Sequence, residues 1–462
     1  MLKNNYLILL IVFLLILILT GCKDGQALPI PDNFKIEGSI ITWTDVKNAA
    51  KYRIEIENPD TGDILKRIVA SGDDLNNYNI TPGNYQIRLQ AVGTDKKWLD
   101  SAFTEALSYR QTDLTAVKVI SGPALVDNLY VKWMGRTNYN SAAAVNMIYH
   151  STSGFEVHFV GTEVKATLSA TNYHIDYKRP YIVIVLDDDY DNAKTLALTQ
   201  AETEVVLAEG LTANGEHKVT VYKRSESIDS HIGVKRLETD GAFQSKVEYR
   251  ERMIEFIAAS SSTGFGNLGT ANEGKTTANS DALQAYAFLT ARALNADLSI
   301  YAASGWGVKF SYWTNPHHLN LYDAYKKVDM FSDINWNFSN YFPDVIVMNL
   351  GTNDWSYVQA ADEPNEKNRR MAEFKTQYIN FIKFVRGIYP DAEIIILYGL
   401  MNETNIFDAT VEIYNEAAKT VDQLNLFYIN GDGKGCSSHP SAVSHQAIAA
   451  ALTNKIKEII DW

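Results

Sequence analysis

The chain has 462 residues, a formal net charge of -13, and 46% hydrophobic residues. That length exceeds what one hydrophobic core organises and suggests about three domains. The acidic excess argues against a nucleic-acid partner, which rewards a basic surface, and is compatible with a neutral polysaccharide.

The first segment has a short basic start at Lys3, a nearly unbroken apolar run from Leu7, and the end Leu19-Thr20-Gly21-Cys22. Small residues directly before a cysteine are what lipoprotein processing requires. Residues 1–22 therefore read as a lipoprotein signal peptide with Cys22 as the lipidated residue, rather than as a plain transmembrane helix. Lys23-Asp24-Gly25 resembles the charged tag of surface-exposed lipoproteins in some Gram-negative bacteria. The expectation is a cell-envelope lipoprotein held to the outer membrane at the cell surface, with periplasmic retention as the alternative. Once Cys22 is acylated, Cys436 alone remains. No intrachain disulfide is then possible, and stability must come from hydrophobic cores.

Residues 23–112 alternate with period two, as at Tyr52, Ile54 and Ile56 and again at Tyr85, Ile87, Leu89 and Ala91. Turn signals at Asn58-Pro59-Asp60 and Thr81-Pro82-Gly83-Asn84 separate the runs, which predicts short antiparallel strands of a sandwich. Ile41-Thr42-Trp43, Ala50-Lys51-Tyr52-Arg53-Ile54 and Pro82-Gly83-Asn84-Tyr85 resemble a fibronectin type III module, whose Trp and Tyr are expected in the core. Residues 113–246 form a second all-β stretch, with alternation at Phe155, Val157 and Phe159 and at Val164, Ala166 and Leu168. The run Tyr181–Leu186 is apolar throughout and predicts a strand buried on both faces, so a jelly-roll β-sandwich is expected.

In residues 247–462 apolar strands alternate with helices. Strands are predicted at Met253–Ile257, Leu298–Ala302, Val345–Leu350, Glu393–Leu397 and Leu426–Ile429. Helices are predicted from a cap at Asn279 or Ser280 to Leu294, from Lys367 to Ile388, and from Val411 to Leu424. This is the pattern of an α/β domain with a parallel sheet covered on both faces, and such sheets carry their sites at the carboxyl ends of the strands.

Each of those ends is followed by an informative segment. Ala258-Ala259-Ser260-Ser261-Ser262 follows the first strand, Ala303-Ser304-Gly305-Trp306 the second, and Gly351-Thr352-Asn353-Asp354 the third, while Cys436-Ser437-Ser438-His439 precedes the last helix. Ester hydrolysis needs a nucleophile, a base, and donors aimed at the oxyanion. Ser260 can supply the hydroxyl and His439 the base. The backbone N–H groups of Ser260 and Gly305 and the side-chain amide of Asn353 can supply the donors. Glycine at 305 would let backbone approach the substrate carbonyl closely.

These four blocks resemble the SGNH or GDSL-like hydrolases, Asn349-Leu350-Gly351-Thr352-Asn353-Asp354 most closely. Gly135-Arg136, Gly161-Thr162 and the run His217–Arg224 resemble the N-terminal jelly roll of carbohydrate esterase family 2. The likeness spans about Val117 to Trp462. It implies a serine acetyl esterase that removes O-acetyl groups from hemicellulose of the xylan or mannan type, with an acetylated polysaccharide or oligosaccharide as partner and no cofactor. The sequence departs from the family twice. Ala258-Ala259-Ser260 stands where Gly-Asp-Ser is usual, and Ser261 or Ser262 remain alternatives to Ser260. Ser437 and Cys436 occupy the positions where an acid commonly orients the histidine. A Ser-His dyad oriented by a backbone carbonyl is the main expectation, and Asp432 reaching in from the loop is the alternative.

Trp306 and Trp355 adjoin Gly305 and Asn353, where an aromatic face could pack on a sugar ring or belong to the core. His445 falls inside the last helix and reads as an ordinary helical position. His317-His318 has no spaced partner, so no metal is assigned. The altered nucleophile block and the missing acid leave a second expectation open, a catalytically weak or inactive carbohydrate-binding protein on the same fold.

Overall fold

The computed structural model describes residues 25–78, 80, 83–93, 98–111, 117–126, 130–244, 249–312, 320–402 and 406–462. The signal segment with Cys22, the Thr81-Pro82 turn and His317-His318 lie outside the described residues. The chain divides into two compact units, residues 1–73 with 83–110, and residues 74–82 with 111–462.

The first unit is all β. Asp32–Glu37 pairs with Ile40–Thr44, and a four-stranded sheet is built from Ile64–Val69, Lys51–Glu57, Gly83–Val92 and Leu107–Gln111 in that order. The period-two pattern has its expected cause. Ile54, Ile56, Ile87 and Leu89 are buried, and the Trp43 and Tyr52 rings meet at 4.9 Å inside the unit.

The second unit joins the β-sandwich and the α/β layers into one compact body. In the sandwich, Phe155, Val157 and Phe159 enter a core shared with Val164, Ala166, Leu168 and Leu237. The strand Tyr181–Leu186 is buried on both faces, as its composition predicts. Ile182 and Ile184 point into the sandwich core, whereas Val183 and Val185 pack with Leu283 and Phe288 of the α/β part. Arg136 locks the same junction from within, at 1% exposure. It pairs with Glu255 at 3.3 Å, donates to the carbonyl of Lys327 at 2.8 Å, and lies 4.3 Å from the rings of both Tyr301 and Tyr325.

The α/β part has five parallel strands, β1 (Met253–Ala258), β2 (Asp297–Ala302), β3 (Val345–Asn349), β4 (Glu393–Tyr398) and β5 (Leu424–Tyr428), in spatial order β2-β1-β3-β4-β5. The longer helices are α1 (Tyr286–Ala293), α2 (Thr352–Gln359), α3 (Pro364–Ile388), α4 (Phe407–Ala417) and α5 (Ala442–Ile459). The strand order reverses around β1. The segments after β1, β2 and β3 therefore share the crevice that doubly wound sheets use for ligands.

The strands shift by at most two residues at either end, and the three expected helices differ in their bounds. The first helix does not begin at Asn279 or Ser280, because those side chains are used within the preceding loop. Asn279 Oδ1 accepts from the Thr276 N–H and Ser280 Oγ from the Gly266 N–H, while Asp281 caps a short turn ahead of α1. The helix expected at Val411–Leu424 runs Phe407–Ala417 instead. The chain turns at left-handed Gln423, and Leu424 opens β5. Helix α3 starts at Pro364 rather than Lys367, since proline suits a first turn.

Candidate active site

Ser260 begins a short turn directly after β1, with its neighbours sorted by burial and bonding. Ser262 is fully buried and bonds the Tyr286 hydroxyl at 2.6 Å, and Ser261 is buried. Ser260 remains partly exposed, and its Oγ lies 2.7 Å from His439 Nε2. Of the three adjacent serines, Ser260 is the one the fold brings to the histidine.

The histidine is oriented by backbone. His439 Nδ1 lies 3.0 Å from the Cys436 carbonyl, which fixes Nδ1 as the protonated nitrogen and leaves Nε2 free to accept from Ser260. Ser437 and Ser438 both have positive φ, 50° and 62°, and this tight reversal aims that carbonyl at the ring. Cys436 is held against Gly266, where a Cβ would come within 2.2 Å of Cys436 Cβ, so only glycine fits. Asp432 is turned elsewhere. Its carboxylate accepts from the Ser441 N–H at 2.9 Å and the Ser441 hydroxyl at 2.5 Å, at the start of α5. The Phe265 ring stacks on His439 at 4.1 Å and 21°. Burial lowers the His439 pKa from its ordinary value, and the Cys436 and Ser437 carbonyls and Glu226 oppose that shift. The imidazole is thereby kept in the neutral form that a base requires.

Gly305 has φ 77°, a left-handed conformation that suits glycine after β2. Asn353 lies in the first turn of α2 and donates one side-chain N–H to the Trp306 carbonyl at 2.9 Å. Ser260 and Asn353 line the same cleft, together with Asn349, Gly351 and Leu400.

Two residues given no role by the sequence tie these segments together. Asp354 is fully buried and accepts three backbone N–H groups, from Val308, Lys309 and Phe310, each at 2.8 Å. Burial pushes its carboxyl up to about 7, against those three donors. Glu226 reaches in from the sandwich loop and accepts from the Ser304 N–H at 2.9 Å and the Ser304 hydroxyl at 2.7 Å. Asp354 stood inside the third motif, and its adjacency to Asn353 was the available signal; Glu226 carried none.

The expectation for Trp306 needs correction. It is 2% exposed and sits in the α/β core, because the chain after the Gly305 turn points its side chain inward. Trp355 is half-buried against the same core. The exposed aromatic faces nearby are Tyr312, whose N–H donates to the Gly305 carbonyl at 2.8 Å, and Phe331, whose ring meets Trp306 at 5.8 Å. His445 lies inside the last helix, as expected. It is fully buried in α5, where Nδ1 accepts from the Tyr286 N–H at 3.2 Å and burial lowers its pKa to about 3. Among the described residues, no group of three His, Cys, Asp or Glu side chains is placed to hold a metal ion.

Comparison with known proteins agrees with this geometry. Residues 133–244 match the carbohydrate esterase 2 N-terminal family. The chain is 30% identical over 348 residues to the cellulase/esterase CelE of Acetivibrio thermocellus, covering 73% of this chain and 40% of that protein, so it spans less than half of that relative's length. It is 25% identical over 368 residues to an acetylxylan esterase / glucomannan deacetylase of Cellvibrio japonicus, covering 78% of this chain and 97% of that protein. A family two carbohydrate esterase from Clostridium thermocellum, solved in complex with cellohexaose, superposes with a TM-score of 0.62 at 28% identity, covering 71% of this chain and 98% of that one. With a sandwich domain that matches the carbohydrate esterase 2 N-terminal family, a parallel sheet and a serine-histidine contact at the crevice, the chain is similar over most of its length to family two carbohydrate esterases.

Proposed function

We propose that the protein is a serine esterase that removes O-acetyl groups from hemicellulose of the xylan or mannan type. The observation that carries the reading is the 2.7 Å contact between Ser260 Oγ and His439 Nε2, with Nδ1 facing a backbone carbonyl. Ser260 Oγ attacks the acetyl carbonyl while its proton passes to His439 Nε2. The resulting oxyanion is met by the backbone N–H groups of Ser260 and Gly305 and by the second N–H of the Asn353 amide. His439 returns the proton to the departing sugar oxygen, then takes one from the water that attacks the acetyl-enzyme and passes it to Ser260 Oγ as acetate leaves.

The deacetylase activity of the Cellvibrio relative supports an acetylated polysaccharide as substrate, and the exposed Tyr312 and Phe331 offer ring faces at the rim. The first unit serves in this reading as a fibronectin type III-like spacer. A lipid at Cys22 ties it to the outer membrane, which labelled palmitate lost in Cys22→Ser would test. The same cleft would also suit a non-catalytic carbohydrate-binding protein, a second reading favoured by the Ala258-Ala259 departure. Acetate release from acetylated xylan, glucomannan and an aryl acetate separates the two. Ser260→Ala should lose about a thousandfold or more in kcat. Equal rates for parent and variant end the catalytic reading, and polymer binding without release selects the second.

A further inference from the structure

The sandwich loop between strands Glu216–Lys223 and Ile232–Gln244 carries charge into the interior beside the candidate site. Glu226 is 2% exposed, and besides binding Ser304 it pairs with Lys275 at 2.9 Å. Lys275 also pairs with Asp229 of the same loop and lies 5.7 Å from the centre of the Phe265 ring. Phe265 in turn stacks on His439. Arg224, at the head of the loop, donates to the carbonyls of Ser280 and Ala278, at 2.8 and 2.6 Å. One end of the ion pair thus grips the residue before Gly305, and the other supports the ring beneath the histidine.

A buried pair of this kind is costly to desolvate, so packing alone gives little reason to place it there. We propose that Glu226 and Lys275 are positioning residues for the reaction: the sandwich supplies an ionic strut that sets the Gly305 turn and the Phe265–His439 stack in register. The proposal rests on the Ser260–His439 reading of the site. The titratable groups facing His439 are Glu226 and Lys275, with Asp229 behind the lysine, the Cys436 thiol on its own loop and neutral His445 on α5. The Glu226 carboxylate raises the histidine's proton affinity and the Lys275 ammonium lowers it.

The test follows His439 by nuclear magnetic resonance of histidine-labelled full-length protein, with its signal identified by loss in His439→Asn, alongside aryl acetate kinetics. Glu226→Gln should lower the His439 titration midpoint, Lys275→Met should raise it, and Lys275→Arg should restore it. Both charge-removing variants should lose about tenfold or more in kcat, with KM changed less than about threefold. Midpoints that stay put, or that move the same way in both variants, overturn the proposal. If one variant fails to fold, Ser304→Ala still decides the grip. It should lower kcat several-fold without moving the midpoint, and an unchanged kcat refutes that part. Equal rates for the parent and Ser260→Ala would end the esterase reading, while the His439 titration would still judge the strut.

Discussion

Asp354→Asn probes how the fold holds the Gly305 turn. Asp354 Oδ1 accepts from Lys309 and Phe310, and Oδ2 accepts from Val308. Asparagine keeps one acceptor oxygen, so two of the three bonds survive. Its amide group then points N–H at the Val308 N–H in a fully buried place. Leaving one buried donor unpaired costs about 1–3 kcal/mol. The backbone at Gly307 has no room to shift toward the carboxylate, since a Cβ there would lie 2.4 Å from Asp354 Oδ2. The strain must therefore pass along the loop toward Gly305. A displacement of about 1 Å at the oxyanion donors costs about a hundredfold in rate. The assay is urea denaturation together with aryl acetate hydrolysis at about pH 8.5, above the value of about 7 to which burial pushes Asp354, so that the parent is a carboxylate with both oxygens able to accept. An unfolding free energy and kcat/KM both equal to the parent's would refute the role given to Asp354.

Three further outcomes are expected. Asp432→Asn should leave kcat/KM within about threefold and cost about 1 kcal/mol of stability, because Asp432 holds Ser441; a fall of about 10⁴ would instead make it the orienter of His439. The pH profile of kcat/KM should rise through an acid limb below the ordinary histidine value of 6.5, since burial depresses His439 and only the neutral ring accepts the serine proton; a midpoint at or above that value contradicts the assigned environment. Arg136→Ala should cost about 3–5 kcal/mol in denaturation by leaving Glu255 buried and unpaired, and a loss under about 1 kcal/mol would show the junction does not depend on it.

Periodicity alone located the layers. Alternation at Phe155, Val157 and Phe159, continuous apolarity at Tyr181–Leu186 and the mainly apolar runs of β1, β3 and β4 follow from which faces are buried, and burial is written in residue type. The four site segments were legible for the same reason, since parallel strands deliver their carboxyl ends to one rim. What the one-dimensional pattern does not carry is the direction a side chain takes at a turn. Trp306 and a substrate-facing tryptophan read alike in sequence, and the Gly305 turn sends this one into the core. Ser260 and Ser262 differ only through their partners, His439 and Tyr286. The choice between Asp432 and a backbone carbonyl was decided by the left-handed Ser437 and Ser438, which turn the Cys436 carbonyl to the ring. Glu226 and Lys275 are 49 positions apart and meet only after the sandwich packs on the sheet. Pairings of that range depend on the assembled interior, where desolvated charges accept no substitute for the partner the fold supplies.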